Sequence, residues 1–278
     1  MPSPTPLKYH LSPAHPNHSP TLAQTMILSR LTDPHWSFLF IDPNPSTIIS
    51  ATQHRLPHTL TTSRDARRHE VAILDPPTST STSTASTTPN KNTQENETVI
   101  GYARWTLPPT LASKANVWVS AQVPSPTSSQ KTTYKKAYDA ASDAKGRVPG
   151  MKDTGLLEYR SEPLDRAEEG ILSHGGVLDG EEVLTLEYLT THPDHWHKGV
   201  GNALVKSGTD IADKYGIKTY VMSEPAGLKV YLKNGFRVVD EVGVDYGAFG
   251  GREKTVHYFL VREPVVVSGC GSGSGSVV

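Results

Sequence analysis

The stretch from Val183 to Val205, VLTLEYLTTHPDHWHKGVGNALV, decides the fold. It opens with an apolar run rich in β-forming residues, which predicts a buried strand that ends before Pro193. A polar corner then leads to Gly199 and Gly201, and a helical pattern follows. The helical spacing places three apolar residues on one face, namely Leu204, Ile211 and Tyr215. The order strand, glycine corner, helix is therefore predicted.

This corner has a shape that suits an anion. The first N–H groups of a helix have no partner within the helix, and the helix dipole adds about half a positive charge at that end. Glycines let a phosphate approach the backbone because no Cβ stands in the way. Lys198 lies beside the corner and can contribute a full charge. An ordinary glycine turn before a helix is the alternative interpretation.

Two motifs in this half of the chain resemble those of one family. The run from Pro193, PDHWHKGVGNALV, resembles the pyrophosphate-binding motif Gln/Arg-x-x-Gly-x-Gly/Ala of the GNAT superfamily, the acyl-CoA-dependent N-acyltransferases, although Trp196 stands where Gln or Arg is expected. Downstream, YLKNGF from Tyr231 to Phe236 resembles the family's Tyr-x-x-x-Gly-Phe box. The longer run SEPAGLKVYLKNGF resembles a fungal GNAT branch.

The resemblance implies an α/β fold with a mixed, mostly antiparallel sheet. Six to seven strands are expected, splayed between the fourth and fifth and flanked by helices. It implies one domain over 1–268, with core motifs at 98–107 and 182–262. Two insertions are expected: a low-complexity one at 78–97 that has little to bury, and a partly helical one at 108–180. Residues 269–278 form a Gly/Ser tail.

Local patterns predict further elements. Apolar runs and helical spacing indicate strands at 7–11, 69–75, 98–106, 218–223, 236–244 and 255–261, and helices at 21–31, 131–145, 163–173 and 226–234. The second and third strands form a hairpin around the low-complexity insert. Three segments have weaker signals: 36–41 is apolar and expected to be buried, 59–68 is expected to be helical near its end, and 124–130 is expected to be a linker.

The resemblance also implies how acetyl-CoA is held. The fourth strand leaves its neighbour at Leu189, Thr190 and Thr191, so its free backbone groups can pair with the pantetheine amides. Phosphate contacts are expected from the corner and the start of the helix. These cofactor-binding residues are Trp196, His197, Lys198, Gly199, Val200, Gly201, Asn202, Ala203 and, from the second box, Asn234.

Two residues are candidates for catalysis. The family uses the tyrosine of its second box, here Tyr231, to protonate the leaving thiolate, and a phenol with a pKa of about 10 can do so. Packing of the helix on the sheet is the alternative role of this aromatic ring. Glu187, a charge inside an apolar strand, can act as base for an ammonium acceptor or form an ion pair with Arg104.

Other polar residues near the corner receive a structural interpretation. His192, His195 and His197 follow a His-x-x-His-x-His spacing, but no fourth zinc ligand is evident, so no metal is expected. Met222 and Glu224 differ from the fungal pattern in a region that borders the acceptor pocket. Because of that difference, an acceptor cannot be copied from relatives.

Composition limits the classes of partner. The 278 residues contain 27 Lys and Arg against 28 Asp and Glu, so no global basic field attracts nucleic acid or an anionic membrane. The one cysteine, Cys270, fits a reducing compartment, and no apolar run approaches the length of a membrane span. We expect a cytoplasmic protein, with the nucleus as the alternative. The oligomeric state has no signal in the sequence.

The leading functional hypothesis is transfer of acetyl from acetyl-CoA to a primary amine of a small molecule, by direct attack in a ternary complex. Two alternatives stay open. One is acetylation of a protein or peptide, and the other is a catalytically weak acyl-CoA-binding regulatory domain. The Trp196 substitution and the altered segment 222–224 motivate the second alternative.

Overall fold

A seven-stranded mixed sheet forms the centre of the computed structural model, which describes residues 7–76, 97–173, 175–251 and 254–265. Its strand order is β1-β2-β3-β4-β5-β7-β6. All neighbours are antiparallel except β4 and β5. The strands are β1 (Tyr9–Pro13), β2 (Arg67–Leu74), β3 (Val99–Thr106), β4 (Val183–Thr191), β5 (Lys218–Ser223), β6 (Arg237–Asp245) and β7 (Lys254–Arg262). The expected mixed α/β sheet is confirmed.

Helices cover both faces of the sheet. They are α1 (Ser19–Arg30), α2 (Pro34–Ser37), α3 (Pro45–Thr61), α4 (Pro109–Ala112), α5 (Ser128–Ala140), α6 (Leu156–Leu172), α7 (Val200–Tyr215) and α8 (Leu228–Lys233). Helices α7 and α8 pack on one face, in a cluster around Trp105 and Leu184. The other face is covered by α1 and α3 over the first strands and by α6 over β5 to β7. No helix in these ranges is long and apolar enough to cross a bilayer.

Helix α7 is placed by glycines at both ends and one in its middle. Gly199 and Gly216 cap it with φ angles of 87° and 65°, a left-handed conformation that glycine adopts without steric cost. Inside the helix, a Cβ on Gly208 would lie 2.2 Å from the Trp105 ring. The missing side chain therefore lets α7 approach β3 closely, and this contact fixes the start of the helix relative to the sheet.

Strand β4 pairs with β5 along only half its length. The parallel ladder joins Val183–Leu186 to Lys218–Val221 and then stops, while β4 stays paired with β3 as far as Thr191. A bulge in the β3–β4 pairing makes Glu187 the extra residue, because Trp105 pairs with Leu186 and Arg104 with Tyr188. The strand therefore splays from β5 after Leu186, as expected from the family resemblance.

Several element boundaries differ from the sequence expectations. The segment 59–68 is mostly not helical: helix α3 begins earlier, at Pro45, and ends at Thr61. Asn44 caps that start, since its side chain accepts hydrogen bonds from Ser46 N and Thr47 N. The first strand lies slightly later than expected, at Tyr9–Pro13.

The two helices in the segment 108–180 also begin before the predicted positions. Helix α5 begins at Ser128, inside the expected linker 124–130, because Thr127 and Gln130 form a reciprocal capping box. Helix α6 begins at Leu156 and contains Pro163, the residue at which the sequence suggested a start. For α5, a polar first turn concealed the helix from the apolar periodicity.

The apolar segment 36–41 is only partly buried. Leu39 and Phe40 are 5% and 2% exposed, but Ile41 is 76% exposed. The hairpin of β2 and β3 forms as expected. Its low-complexity insert at 78–97 lies, apart from Glu97, outside the described residues, as does the 269–278 tail.

A buried carboxylate connects β2 to α7. Glu70 is 3% exposed; its Oε1 accepts a hydrogen bond from Ser207 Oγ at 3.0 Å, and its Oε2 has no partner among the described residues. Burial raises the pKa of Glu70 from 4.5 to about 7, although the Ser207 hydrogen bond opposes this shift. The folded protein therefore holds this proton more tightly than the unfolded chain does.

Stability should consequently depend on pH through Glu70. A raised folded-state pKa gives a contribution that is complete below about pH 4.5 and is lost as the pH rises through 7. Glu70→Gln keeps the shape without a charge, so its melting temperature should exceed that of the wild type increasingly from pH 5 to 8. In terms of the free energy of unfolding, the variant should exceed the wild type by at most roughly 3 kcal/mol. Glu241→Gln, at an exposed position of β6, is the matched control, and an identical pH profile for the Glu70 variant and the wild type would contradict the assignment.

Candidate active site

The corner between β4 and α7 is held by its own side chains. His192 Nδ1 accepts a hydrogen bond from Asp194 N at 3.2 Å, and Lys198 Nζ donates to Asp194 O at 2.8 Å. His197 has a φ of 59°, an uncommon value for a residue with a side chain. This strained backbone turns the chain sharply, so that β4 leads directly into the start of α7.

The first turn of α7 is left uncapped. Gly199 is the N-cap and supplies no side-chain hydrogen bond, so the N–H groups of Val200, Gly201 and Asn202 point out of the helix without a cap. Ala203, whose N–H bonds to Gly199 O, is the first residue with an intrahelical partner. Of the sequence-predicted set, Val200, Gly201 and Asn202 thus present N–H groups without an intrahelical partner, whereas the N–H of Ala203 is already bonded.

Asn234 connects this turn to α8. Its Nδ2 donates to Asn202 Oδ1 at 3.1 Å and to Val230 O at 2.8 Å. The helix that carries Tyr231 is therefore tied to the start of α7. The structure thereby brings the two sequence motifs together, 32 residues apart in the chain.

Trp196 contributes in a way that the sequence comparison with Gln or Arg did not suggest. Its indole Nε1 donates to Thr191 O at 2.7 Å, the carbonyl at the end of β4, and the side chain is 39% exposed. Trp196 therefore still supplies a hydrogen-bond donor at this position, and the donor binds the last carbonyl of β4. The remaining ring surface lies at the mouth of the corner.

The open half of β4 lies beside the corner. A Cβ on Gly201 would lie 3.5 Å from Thr191 Oγ1, which places the start of α7 against the strand end. Leu189, Thr190 and Thr191 follow the last residue paired with β5, so their backbone groups on that side have no partner from β5. A slot with unpaired strand groups and an uncapped helix start fits an extended amide-containing chain that ends in phosphates.

Tyr231 is buried where α8 meets the sheet. It is 5% exposed, packs edge-on against Phe236, and Gly227 leaves space for its ring, since a Cβ there would lie 3.0 Å from Tyr231 Cε2. Burial raises the pKa of Tyr231 well above its usual range, and Glu224 raises it further, whereas Arg30 lowers it. The hydroxyl therefore stays protonated at neutral pH, and because the raised pKa makes it a weaker acid, the shift favours hydrogen-bond donation over early proton transfer.

Glu187 is paired with arginines on the neighbouring strands. Its Oε2 lies 2.7 Å from Arg104 Nε and 3.6 Å from Arg67 Nε, and Thr106 Oγ1 donates to its Oε1 at 2.5 Å. These contacts form the ion pair that the sequence offered as the alternative, and a role of Glu187 as a base stays a prediction. Tyr231 likewise stays a predicted catalytic residue.

A network of charges that the sequence did not reveal joins β4 to the end of β5. Arg30 of α1 donates through Nε to Tyr188 Oη at 3.3 Å and lies 4.9 Å above that ring. Its Nη1 lies 3.1 Å from Glu224 Oε1, and Arg160 Nη2 lies 3.4 Å from the same oxygen. Contacts between residues so far apart in the chain have no local sequence pattern.

The three histidines of the corner do not converge. His192 and His195 contact each other with ring centroids 5.8 Å apart. Within the described ranges, no group of three or more His, Cys, Asp or Glu side chains is arranged to hold a metal ion.

Comparisons with known proteins find a family match over the segment that contains this site. The profile of the Acetyltransferase (GNAT) family matches residues 157–236, which include β4, the corner, α7, β5 and Tyr231. No curated protein matches the sequence significantly. Over this segment the chain is therefore similar to the GNAT acetyltransferases.

Solved structures of low sequence identity are also similar. They include the histone acetyltransferase HPA2 and related acetyltransferase from Corynebacterium glutamicum, at 13% identity and a TM-score of 0.49, covering 94% of this chain and 99% of that one. PaiA N-acetyltransferase from Thermoplasma acidophilum, in complex with coenzyme A, is 12% identical with a TM-score of 0.42 and coverages of 92% and 99%. YncA from Salmonella typhimurium, with acetyl-CoA, is 12% identical with a TM-score of 0.40 and coverages of 95% and 99%.

Proposed function

We propose that the protein is an acyl-CoA-dependent N-acyltransferase that transfers acetyl from acetyl-CoA to a primary amine of a small molecule. The observation that carries this proposal is the continuity of the open edge of β4 with the uncapped start of α7. Acetyl-CoA supplies the activated acetyl thioester. The family match at 157–236 supports the same class of reaction.

The binding residues divide into two groups. The backbone of Leu189, Thr190 and Thr191 would pair with the pantetheine amides, and the N–H groups of Val200, Gly201 and Asn202 would hold the pyrophosphate. Both groups act through main-chain atoms. For this reason the replacement of Gln or Arg by Trp196 leaves them in place, and a cofactor-binding domain without activity gains no support from that substitution.

Catalysis would combine proximity with one proton donor. The amine and the thioester meet in one complex, so no covalent enzyme intermediate is required. Tyr231 holds a proton near the end of β5 and would deliver it to the departing thiolate. The proton that the amine loses would pass to Glu187, the predicted base, or to water, since Arg104 and Arg67 already pair with that carboxylate.

A screen of acceptors tests the proposal. Purified protein is incubated with acetyl-CoA and amino acids, polyamines, arylamines or peptides, and release of the free thiol is followed. We expect acetylation of at least one small primary amine at a rate well above hydrolysis. Turnover confined to peptides would support the protein or peptide alternative. Tight coenzyme A binding with no acceptor acetylated would overturn the enzymatic proposal.

A further inference from the structure

Trp196 is a large aromatic residue held at the surface of the corner between β4 and α7. Its indole Nε1 donates to Thr191 O at 2.7 Å, so one edge of the ring is fixed at the end of β4. The side chain nevertheless stays 39% exposed, whereas Trp105 and Trp118 are 0% and 6% exposed. An exposed ring that a hydrogen bond holds in place offers a surface on which another flat group can stack.

The indole lies beside the proposed phosphate site, and Thr191 is the residue that connects the two. The carbonyl of Thr191 accepts the hydrogen bond from Trp196, and its Oγ1 lies 3.5 Å from the position that a Cβ on Gly201 would take. Gly201 belongs to the uncapped first turn of α7. The ring and the free N–H groups of that turn therefore flank the same strand end.

The order of groups in coenzyme A indicates what the ring would meet. The molecule runs from the pantetheine amides through the pyrophosphate to an adenosine. The slot begins where β4 leaves β5 after Leu186, and it ends at the start of α7. A ligand whose amides and pyrophosphate fill this slot has its adenosine left to place at the corner. The adenine is flat, and Trp196 presents a flat ring there.

We infer that the exposed face of Trp196 stacks on the adenine of coenzyme A, an assignment that rests on the proposed function. Stacking of a nucleobase on an aromatic side chain changes affinity by roughly 5- to 150-fold. Lys198, whose Nζ donates to Asp194 O at 2.8 Å, holds a positive charge on the same corner for the phosphates. The chain thus has a contact to the base where the GNAT motif has Gln or Arg.

Two substitutions separate stacking from the hydrogen bond to Thr191. Trp196→Gln keeps a side-chain N–H donor and removes the ring, whereas Trp196→Phe keeps a ring and removes the donor. Affinities are measured by isothermal titration with coenzyme A, with 3′-dephospho-coenzyme A and, by displacement, with 4′-phosphopantetheine, which has no adenosine. Trp196→Gln should bind both adenine-containing ligands roughly 5- to 150-fold more weakly than the wild type and 4′-phosphopantetheine equally well. Trp196→Phe should bind coenzyme A more tightly than Trp196→Gln does.

Tyr159→Gln is the matched control for removal of an exposed ring. Tyr159 is 41% exposed on α6, outside the corner, so the coenzyme A affinity of this variant should equal that of the wild type. Fluorescence provides a second readout without turnover, because adenine stacked on an indole quenches its emission. Coenzyme A should quench the wild type more than 4′-phosphopantetheine does. The difference should disappear in Trp196→Phe, which keeps the other three of the four tryptophans.

The outcomes distinguish this inference from the proposed function. Equal coenzyme A affinity in the wild type and a folded Trp196→Gln, or equal quenching of the wild type by the two ligands, would overturn stacking and leave the acyltransferase proposal intact. A loss in Trp196→Phe with none in Trp196→Gln would assign the indole to the strand-end hydrogen bond instead. If Trp196→Gln does not fold, the quenching comparison in the wild type and Trp196→Phe decides. Failure of the wild type to bind coenzyme A would overturn both.

Discussion

Tyr231→Phe should lower kcat by roughly 10²–10⁴-fold, the loss typical when a general acid is removed. The change keeps the ring against Phe236 and removes only the hydroxyl. The KM for the acceptor and the affinity for acetyl-CoA should stay close to wild type, because most cofactor contacts are expected from β4 and α7. The loss should appear mainly in kcat, since the donated proton matters as charge develops on sulfur.

Measurements on one preparation separate this outcome from a packing role. The kcat, the acetyl-CoA dissociation constant and the melting temperature are determined for wild type, Tyr231→Phe and the control Tyr215→Phe. Tyr215 is the last residue of α7. A folded Tyr231→Phe enzyme that turns over at the wild-type rate would end the general-acid assignment. Reduced stability with normal specific activity would support packing alone.

Gly201→Glu should weaken coenzyme A binding by at least tenfold and up to about a hundredfold for each charged hydrogen bond that it removes. The new carboxylate would occupy the uncapped start of α7 and repel the phosphates that the N–H groups attract. The fold should survive, because a Cβ at this position makes an ordinary 3.5 Å contact with Thr191 Oγ1. Isothermal titration with coenzyme A measures the effect.

Gly170→Glu supplies the control for charge and size. Gly170 is exposed on α6, has a helical conformation, and has no atom within 4 Å of the position that its Cβ would take. Its coenzyme A affinity should equal that of the wild type. If a folded Gly201→Glu variant also kept that affinity, the start of α7 would not be the phosphate site.

Local sequence patterns predicted the elements that contain apolar repeats or glycines. The β4–corner–α7 unit follows from an apolar run, Pro193 and two glycines, and the position of Tyr231 follows from a motif with fixed spacing. Helices α3 and α5 were misplaced because their first turns are polar and their starts depend on caps, Asn44 and Thr127, instead of apolar periodicity. These capping residues were the sequence signal that could have located the starts of both helices.

The charge network around Glu224 could not be predicted, because it is assembled from distant segments. Arg30 and Arg160 meet at Glu224 although 130 residues separate them in the chain. Arg104 was expected as an ion-pair partner of Glu187, but the second partner, Arg67, emerges only from the register of β2, β3 and β4.

The short ladder between β4 and β5 is a weak connection between two parts of the sheet. Four residue pairs are the only backbone ladder between β1–β4 and β5–β7 in the described chain. A ligand that pairs with the open edge of β4 would add hydrogen bonds along the half of this strand that β5 leaves unpaired. Because such a ligand binds the folded form, the apparent melting temperature should rise with its concentration by mass action. The melting temperature would then depend on the ligand concentration as well as on the amino-acid sequence.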